Sequence, residues 1–267
     1  MKYAALLLAA SAAVTAADPV DWLITARYVV TMDPARRVID NGAVAVRADR
    51  IVAIGPRAQL ERQYSPKQRL DRGNAILAPG LIDTHTHAPM SLFRGIADDM
   101  RLQEWLEKFI FPAEAKNVTA GFVKWGTLLA CLEMSLSGTT TYTDMYYFEE
   151  VIAEATRQAG LRAVLGQTVI GFPVPDAKTP GEGLARTERF LKSYGNDPLI
   201  TPAPAPHAIY TTSDEVIRQA RALANKYGVP MLIHLSETRR ENDDAMASRK
   251  MSPTRVLESI GALTGRT

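Results

Sequence analysis

Four histidines, His85, His87, His207 and His234, are all that the 267-residue chain contains. Two of them stand in Asp83-Thr84-His85-Thr86-His87. In an extended strand, residues i and i+2 point to the same side. Both imidazoles therefore reach one metal ion, and imidazole nitrogens suit zinc, iron or a similar divalent ion. His234 lies in Ile233-His234-Leu235-Ser236-Glu237 and stands in line as a third ligand. For Glu237, three residues on, two readings stand. It faces the same ion from a loop, where a carboxylate takes a proton from water and delivers it to a substrate. Alternatively, Glu237 to Asp244 (ETRRENDD) is a solvated charged loop.

These residues need elements that bring them to one place. From Ala75 to Asp83 the chain reads as a continuous apolar strand buried on both faces. Beyond it, helical and strand patterns alternate. Helical stretches cover Leu102–Phe109, Ala120–Ser137, Glu149–Ala159, Gly183–Tyr194, Val216–Tyr227 and Pro253–Ile260, with Gly138, Gly160 and Gly228 as stops. Strands are expected at Thr139–Asp144, Leu161–Ile170, Leu199–Pro206 and Val229–Leu235. Repeated βα units mean parallel strands with helices outside, either a (β/α)8 barrel or an open doubly wound sheet. Gly80 lacks the G-x-G-x-x-G context, which disfavours dinucleotide binding. All four histidines fall at or just past the C-terminal ends of the first, fourth and fifth of these strands, the face on which barrel active sites are built.

Ahead of the alternating region, residues 22–78 read as short strands with turns. Asp40-Asn41-Gly42 is a hairpin-turn signal, and Asp49-Arg50 turns the chain again. At the start, Lys2, the apolar run Ala4–Val14 and the small residues Val14-Thr15-Ala16 have the anatomy of a secretory signal peptide over residues 1–17. Export to the periplasm or medium is the expectation, with a cytoplasmic location if the leader does not function. That apolar run is shorter than the ~20 residues of a spanning helix, so no stable membrane insertion is expected.

Composition narrows the partners. The chain is 46% hydrophobic and 22% charged, with a net charge of +2 and no basic stripe, which excludes disorder and disfavours nucleic acid. The single cysteine, Cys131, has no partner for an internal disulfide and reads as a small core residue.

Pro79 through His87, Asp98-Asp99 with Trp105-Leu106, Pro112-Ala113-Glu114, Pro206-His207 and His234-Leu235-Ser236-Glu237 together resemble the amidohydrolase superfamily. More narrowly, they are similar to its 5-methylthioadenosine/S-adenosylhomocysteine deaminases and triazine hydrolases. The resemblance implies an α/β fold: an N-terminal β-sandwich segment (18–78) and an incomplete TIM-type (β/α)8 barrel (79–267) with strands one to five. It implies His85, His87 and His234 as metal ligands, Glu237 as the acid–base residue, and His207, Trp105 and Glu114 as substrate contacts. From the residues alone, Trp105 reads equally as a core aromatic and Glu114 as a solvated helix-cap carboxylate.

The chain has no lysine between Leu199 and Lys226, where binuclear members carry a bridging lysine, so one divalent ion is implied, zinc first and iron second. The family's strand-eight aspartate and the histidine after strand six have no counterpart. Residues after 78 are fewer than the ~250 typical of eight βα units, and the expectation is a C-terminally truncated chain. The implied function is hydrolytic deamination of an amino-substituted purine nucleoside or related heterocycle in the full-length form, for which a homo-oligomer is among the expectations. Triazine-type, guanine or cytosine aminohydrolases are the alternatives, and an inactive fragment is a further one.

Overall fold

The computed structural model of the protein describes residues 17–265. All but the last position of the expected leader, residues 1–17, lies outside them. The chain divides into two compact units, one up to Pro79 and one from Gly80.

The first unit is a four-stranded sheet in the order β3-β2-β1-β4. Its strands are β1 (Asp18–Val30), β2 (Val38–Arg47), β3 (Arg50–Pro56) and β4 (Tyr64–Leu77), with helix α1 (Arg57–Gln63) between the last two. β1 pairs antiparallel with β2 and parallel with β4. Val20, Leu23, Ala43, Ala45, Leu60 and Tyr64 form one core cluster, with Leu60 supplied by α1. Asp40-Asn41-Gly42 is not a turn, contrary to the sequence expectation. β2 runs through it, pairing Asp40 with Tyr28 and Gly42 with Ala26. Gly42 serves close approach instead: a Cβ there would lie 2.6 Å from Cγ2 of Val29. The reversal sits earlier, where the Asp33 carboxylate accepts from the Arg37 guanidinium at 2.8 and 2.7 Å.

The second unit carries a parallel sheet in the order β5-β6-β7-β8. Its elements are β5 (Leu81–Thr86), α2 (Leu102–Trp105), α3 (Phe111–Asn117), α4 (Ala120–Ser137), β6 (Thr139–Tyr146), α5 (Glu149–Ala159), β7 (Arg162–Val169), α6 (Pro180–Tyr194), β8 (Ile200–Pro206), α7 (Asp214–Tyr227), α8 (Arg239–Arg249) and α9 (Pro253–Ser259). Neighbours in the sheet are neighbours in sequence. A doubly wound sheet reverses its strand order, so the winding is that of a (β/α)8 barrel, here incomplete. Thr119, Thr179 and Ser213 cap α4, α6 and α7 through their hydroxyls. Tyr142, Ile152, Leu165 and Cys131 lie at the centre of the main core, fully buried. Among the described residues no helix is long and apolar enough to cross a membrane.

Three further elements differ from the sequence expectation. The apolar strand read over Ala75–Asp83 is split: residues to Leu77 end β4, and β5 begins at Leu81. Leu81 and Ile82 are 62% and 66% exposed rather than buried, because β5 is the outermost strand of its sheet among the described residues.

The segment expected as a fifth strand, Val229–Leu235, forms no ladder. Val229 still bonds back to the Ala224 carbonyl at the end of α7 (3.0 Å), and toward β8 the segment donates from Leu232 to the Pro204 carbonyl (3.0 Å) and, just past that strand, from His234 to the His207 carbonyl (2.9 Å). The Pro204 carbonyl faces this segment, so Pro202, Pro204 and Pro206 present to it an edge of β8 with no N–H to donate.

The charged run after Glu237 contains helix α8 rather than only a loop. Thr238 caps it, and Glu241 reaches back to the preceding amides. The sequence T-x-x-E is that of a capping box, with the glutamate reaching past the Thr238 cap to the two amides before it.

Candidate active site

The strand ends bring all four imidazoles together. His85 ends the ligand face of β5, and His87 opens the short 3-10 turn Ala88–Phe93. α4 holds that turn closely: a Cβ on Gly126 would lie 2.3 Å from the Pro89 carbonyl oxygen. The His234 ring centre lies 5.0 Å from that of His85, 5.1 Å from His87 and 5.0 Å from His207. His85, His87 and His234 each offer one nitrogen within 4.8 Å of the other two, a group able to hold one ion.

The donor chemistry fits a divalent cation. His87 Nδ1 lies 2.7 Å from the Met145 carbonyl. A carbonyl only accepts, so Nδ1 carries the proton and Nε2 keeps its lone pair. Burial, with His207, His87 and His85 close by, pushes the His234 imidazole down to about 3. Burial likewise lowers His87 and brings His207 to about 4. Neutral imidazole is the ligating form, and these rings stay neutral through the physiological range.

His207 lies beside the trio rather than in it, and its Nδ1 is 2.8 Å from the Thr211 hydroxyl. Glu237 is exposed, on the loop leaving His234. Its charge acts on His87, raising that imidazole's proton affinity against burial. Three groups fix this loop: Ser236 adopts a left-handed backbone (φ 56°), the Glu241 carboxylate accepts from the Ser236 and Glu237 amides at 3.1 and 2.7 Å, and the Tyr210 hydroxyl donates to Glu237 at 3.1 Å.

Trp105 and Glu114 share a wall with His87 and His207 around a cavity of about 50 Å³. Nine residues apart on a regular α-helix, they would face opposite ways. The stretch Leu106–Ile110 between them is π-wound, and the extra residue turns both toward the cavity. The space accepts waters rather than a heterocycle, so a ring binds there only with movement of the lining. A wider cavity of about 740 Å³ opens beside it, past Tyr210 and Glu241.

Glu114 is 5% exposed. Burial pushes its carboxyl up to about 7, against the pull of the Tyr146 and Tyr147 hydroxyls. A raised carboxyl binds more protons folded than unfolded between its ordinary value of 4.5 and about 7. Its contribution is therefore complete below 4.5 and lost as pH rises through 7. Glu114→Gln should flatten the fall in stability between pH 5 and pH 8 by up to roughly 3 kcal/mol, read from urea midpoints. An unchanged slope would refute the assignment.

Several site residues escaped sequence reasoning. Tyr210 and Thr211 follow His207 in a loop with no motif around them. Glu241 was legible as the fourth residue of a Thr238-x-x-Glu241 capping box. Asp144 is fully buried beneath the His85–His87 segment, its carboxyl raised by desolvation.

Residues 76–267 match the amidohydrolase family model, and residues 42–64 match a bacterial imidazolonepropionase-like composite domain. The chain is 43% identical over 249 residues to the 5-methylthioadenosine/S-adenosylhomocysteine deaminase 1 of Syntrophus aciditrophicus, covering 93% of this chain and 56% of that protein. The 5-methylthioadenosine/S-adenosylhomocysteine deaminase of Thermodesulfovibrio yellowstonii is 45% identical over 247 residues, with 92% and 56% covered. Among solved structures, an adenosine deaminase from Xanthomonas campestris with bound zinc superposes with a TM-score of 0.90 at 39% identity, covering 93% of this chain and 56% of that one. The chain thus spans about half the length of the curated relatives it matches. The family match runs through the second unit and its convergent histidines: the chain belongs to the amidohydrolase family.

Proposed function

We propose that the protein is a metal-dependent aminohydrolase that deaminates an adenosine-type nucleoside, with 5-methylthioadenosine and S-adenosylhomocysteine as the first substrates to test. The observation that carries this reading is the convergence of His85, His87 and His234 beside a carboxylate, Glu237, whose charge reaches the same cluster. Relatives at 43% and 45% identity bear the deaminase names, which supports this substrate class.

His85, His87 and His234 would hold one divalent ion, zinc before iron, since the similar adenosine deaminase structure contains zinc. When bound, such an ion lowers the pKa of water toward neutrality. Glu237 accepts the water's proton and delivers it to the ring nitrogen, while the water oxygen bonds to the carbon bearing the amine. The hydroxyl of the resulting adduct then gives up its proton, which Glu237 passes to the amine; a carbonyl forms, the C–N bond breaks and ammonia leaves. The Tyr210 hydroxyl and the Glu241-anchored loop keep the carboxylate in place. His207 donates to or accepts from the ring edge. Glu114 takes the sugar hydroxyls and Trp105 covers the base.

The exposed Leu81 and Ile82 and the coverage of about half of each relative favour a second reading, in which these 267 residues alone are catalytically silent. Ammonia release distinguishes the readings across 5-methylthioadenosine, S-adenosylhomocysteine, adenosine, guanine, cytosine and a triazine. Preferential release from the adenosine derivatives is expected of the active protein. Turnover of a triazine or free base alone overturns the substrate class, and turnover by the 267-residue chain overturns the silent reading.

A further inference from the structure

One carboxylate holds His87 from both sides. Asp144 stands opposite Thr86 in the β5–β6 register and has no exposed surface. Its Oδ1 accepts from the Ala88 amide at 2.6 Å and, at 2.7 Å, from the Thr86 hydroxyl, whose one proton also has the Thr143 carbonyl within reach at 2.9 Å. Thr86 and Ala88 are the residues immediately before and after His87, so both flanks of that residue are tied to a single oxygen. The next residue along β6, Met145, supplies the carbonyl that takes the His87 Nδ1 proton. Two consecutive residues of β6 thus fix the backbone and the ring. The other carboxylate oxygen, Oδ2, is buried without a hydrogen-bond partner. Such an oxygen costs free energy to desolvate, so an apolar residue would serve packing better.

We propose that Asp144 is the positioning residue of the His85-Thr86-His87 ligand pair. Its carboxylate sets where His87, and through Thr86 also His85, present their lone pairs. The proposal rests on the reading that the histidine trio holds a divalent ion. It also accounts for the residue between the two histidines. Side chains alternate along β5, so Thr86 points away from the ligand face, and its hydroxyl reaches Asp144.

The test is cobalt binding by the 267-residue chain, with affinity read by chelator competition and coordination by the visible absorption bands. Asp144→Ala should weaken binding tenfold to a hundredfold and shift the bands. Asp144→Asn keeps an oxygen that accepts both bonds and should stay within about threefold of the parent. Glu149→Gln changes an equally buried carboxyl that accepts from Tyr146 and has no bond to residues 85–88; it should leave affinity and bands alone even where it moves the melting temperature. Should Asp144→Ala fail to fold, Thr86→Val removes one of the two bonds, together with the hydroxyl's contact to the Thr143 carbonyl, at nearly constant shape, with a loss of about three- to tenfold expected. Parent-like affinity in Asp144→Ala or, in its place, Thr86→Val overturns the proposal. So does an equal loss in Asp144→Asn and Asp144→Ala. An unsubstituted chain that binds no cobalt fails the metal reading itself, a result distinct from parent-like binding by the variants.

Discussion

Replacing His87 with alanine should cut the affinity of the chain for a divalent ion by about a hundredfold or more. Zinc sites in small proteins gain roughly 10–16 kcal/mol from four ligands, or about 3 kcal/mol for each, and a factor of ten is about 1.4 kcal/mol. His87 is the best prepared of the three donors, because the Met145 carbonyl already holds its Nδ1 proton and frees Nε2. His85→Ala and His234→Ala should lose comparable affinity. His207→Ala is the control: its ring lies 5.0 Å from that of His234, yet it is not among the three residues whose nitrogens converge. It should bind within a few-fold of the parent. Calorimetric titration with zinc reads all four. Parent-like affinity in His87→Ala, or equal losses in all four variants, would contradict the ligand assignment.

The second large effect concerns Glu237. Glu237→Gln should lower turnover of the active protein by about 10²- to 10⁴-fold, the usual worth of a positioned proton-transfer group, with metal content unchanged. The amide keeps an oxygen to accept from Tyr210, and its backbone N–H still donates to Glu241, so the loop geometry survives while the base is lost. Ammonia release and metal analysis on the same sample separate the two properties. Near-parental rates would place the proton transfer elsewhere. Metal loss parallel to activity loss would mark Glu237 as a ligand instead.

Much of the site was legible because its residues obey local rules. The i, i+2 spacing of His85 and His87 needs only extended chain, and β5 carries it to Thr86, with His87 the next residue. The helices Ala120–Ser137 and Glu149–Ala159 end where Gly138 and Gly160 take left-handed φ values of 86° and 75°. The misreadings come from places where tertiary contacts decide. Gly42 resembles a turn residue but is placed by the Val29 side chain beside it. Val229–Leu235 has a strand's composition, yet the alternate prolines of β8 leave it an edge without donors. α8 carries no apolar stripe and shows only its capping box. Asp144 could not be linked to His87 from sequence, since 57 positions separate them and only the β5–β6 register joins them. Trp105 and Glu114 meet only because a π turn intervenes, and nothing in the residues between them announces it.

X-ray absorption on the zinc-loaded chain reads the ligand set itself. One ion per chain is expected, coordinated by three imidazole nitrogens at about 2.0–2.1 Å, reduced to two by His87→Ala. A coordination shell without imidazole scattering, or a chain that takes up no zinc at all, would contradict this ligand set.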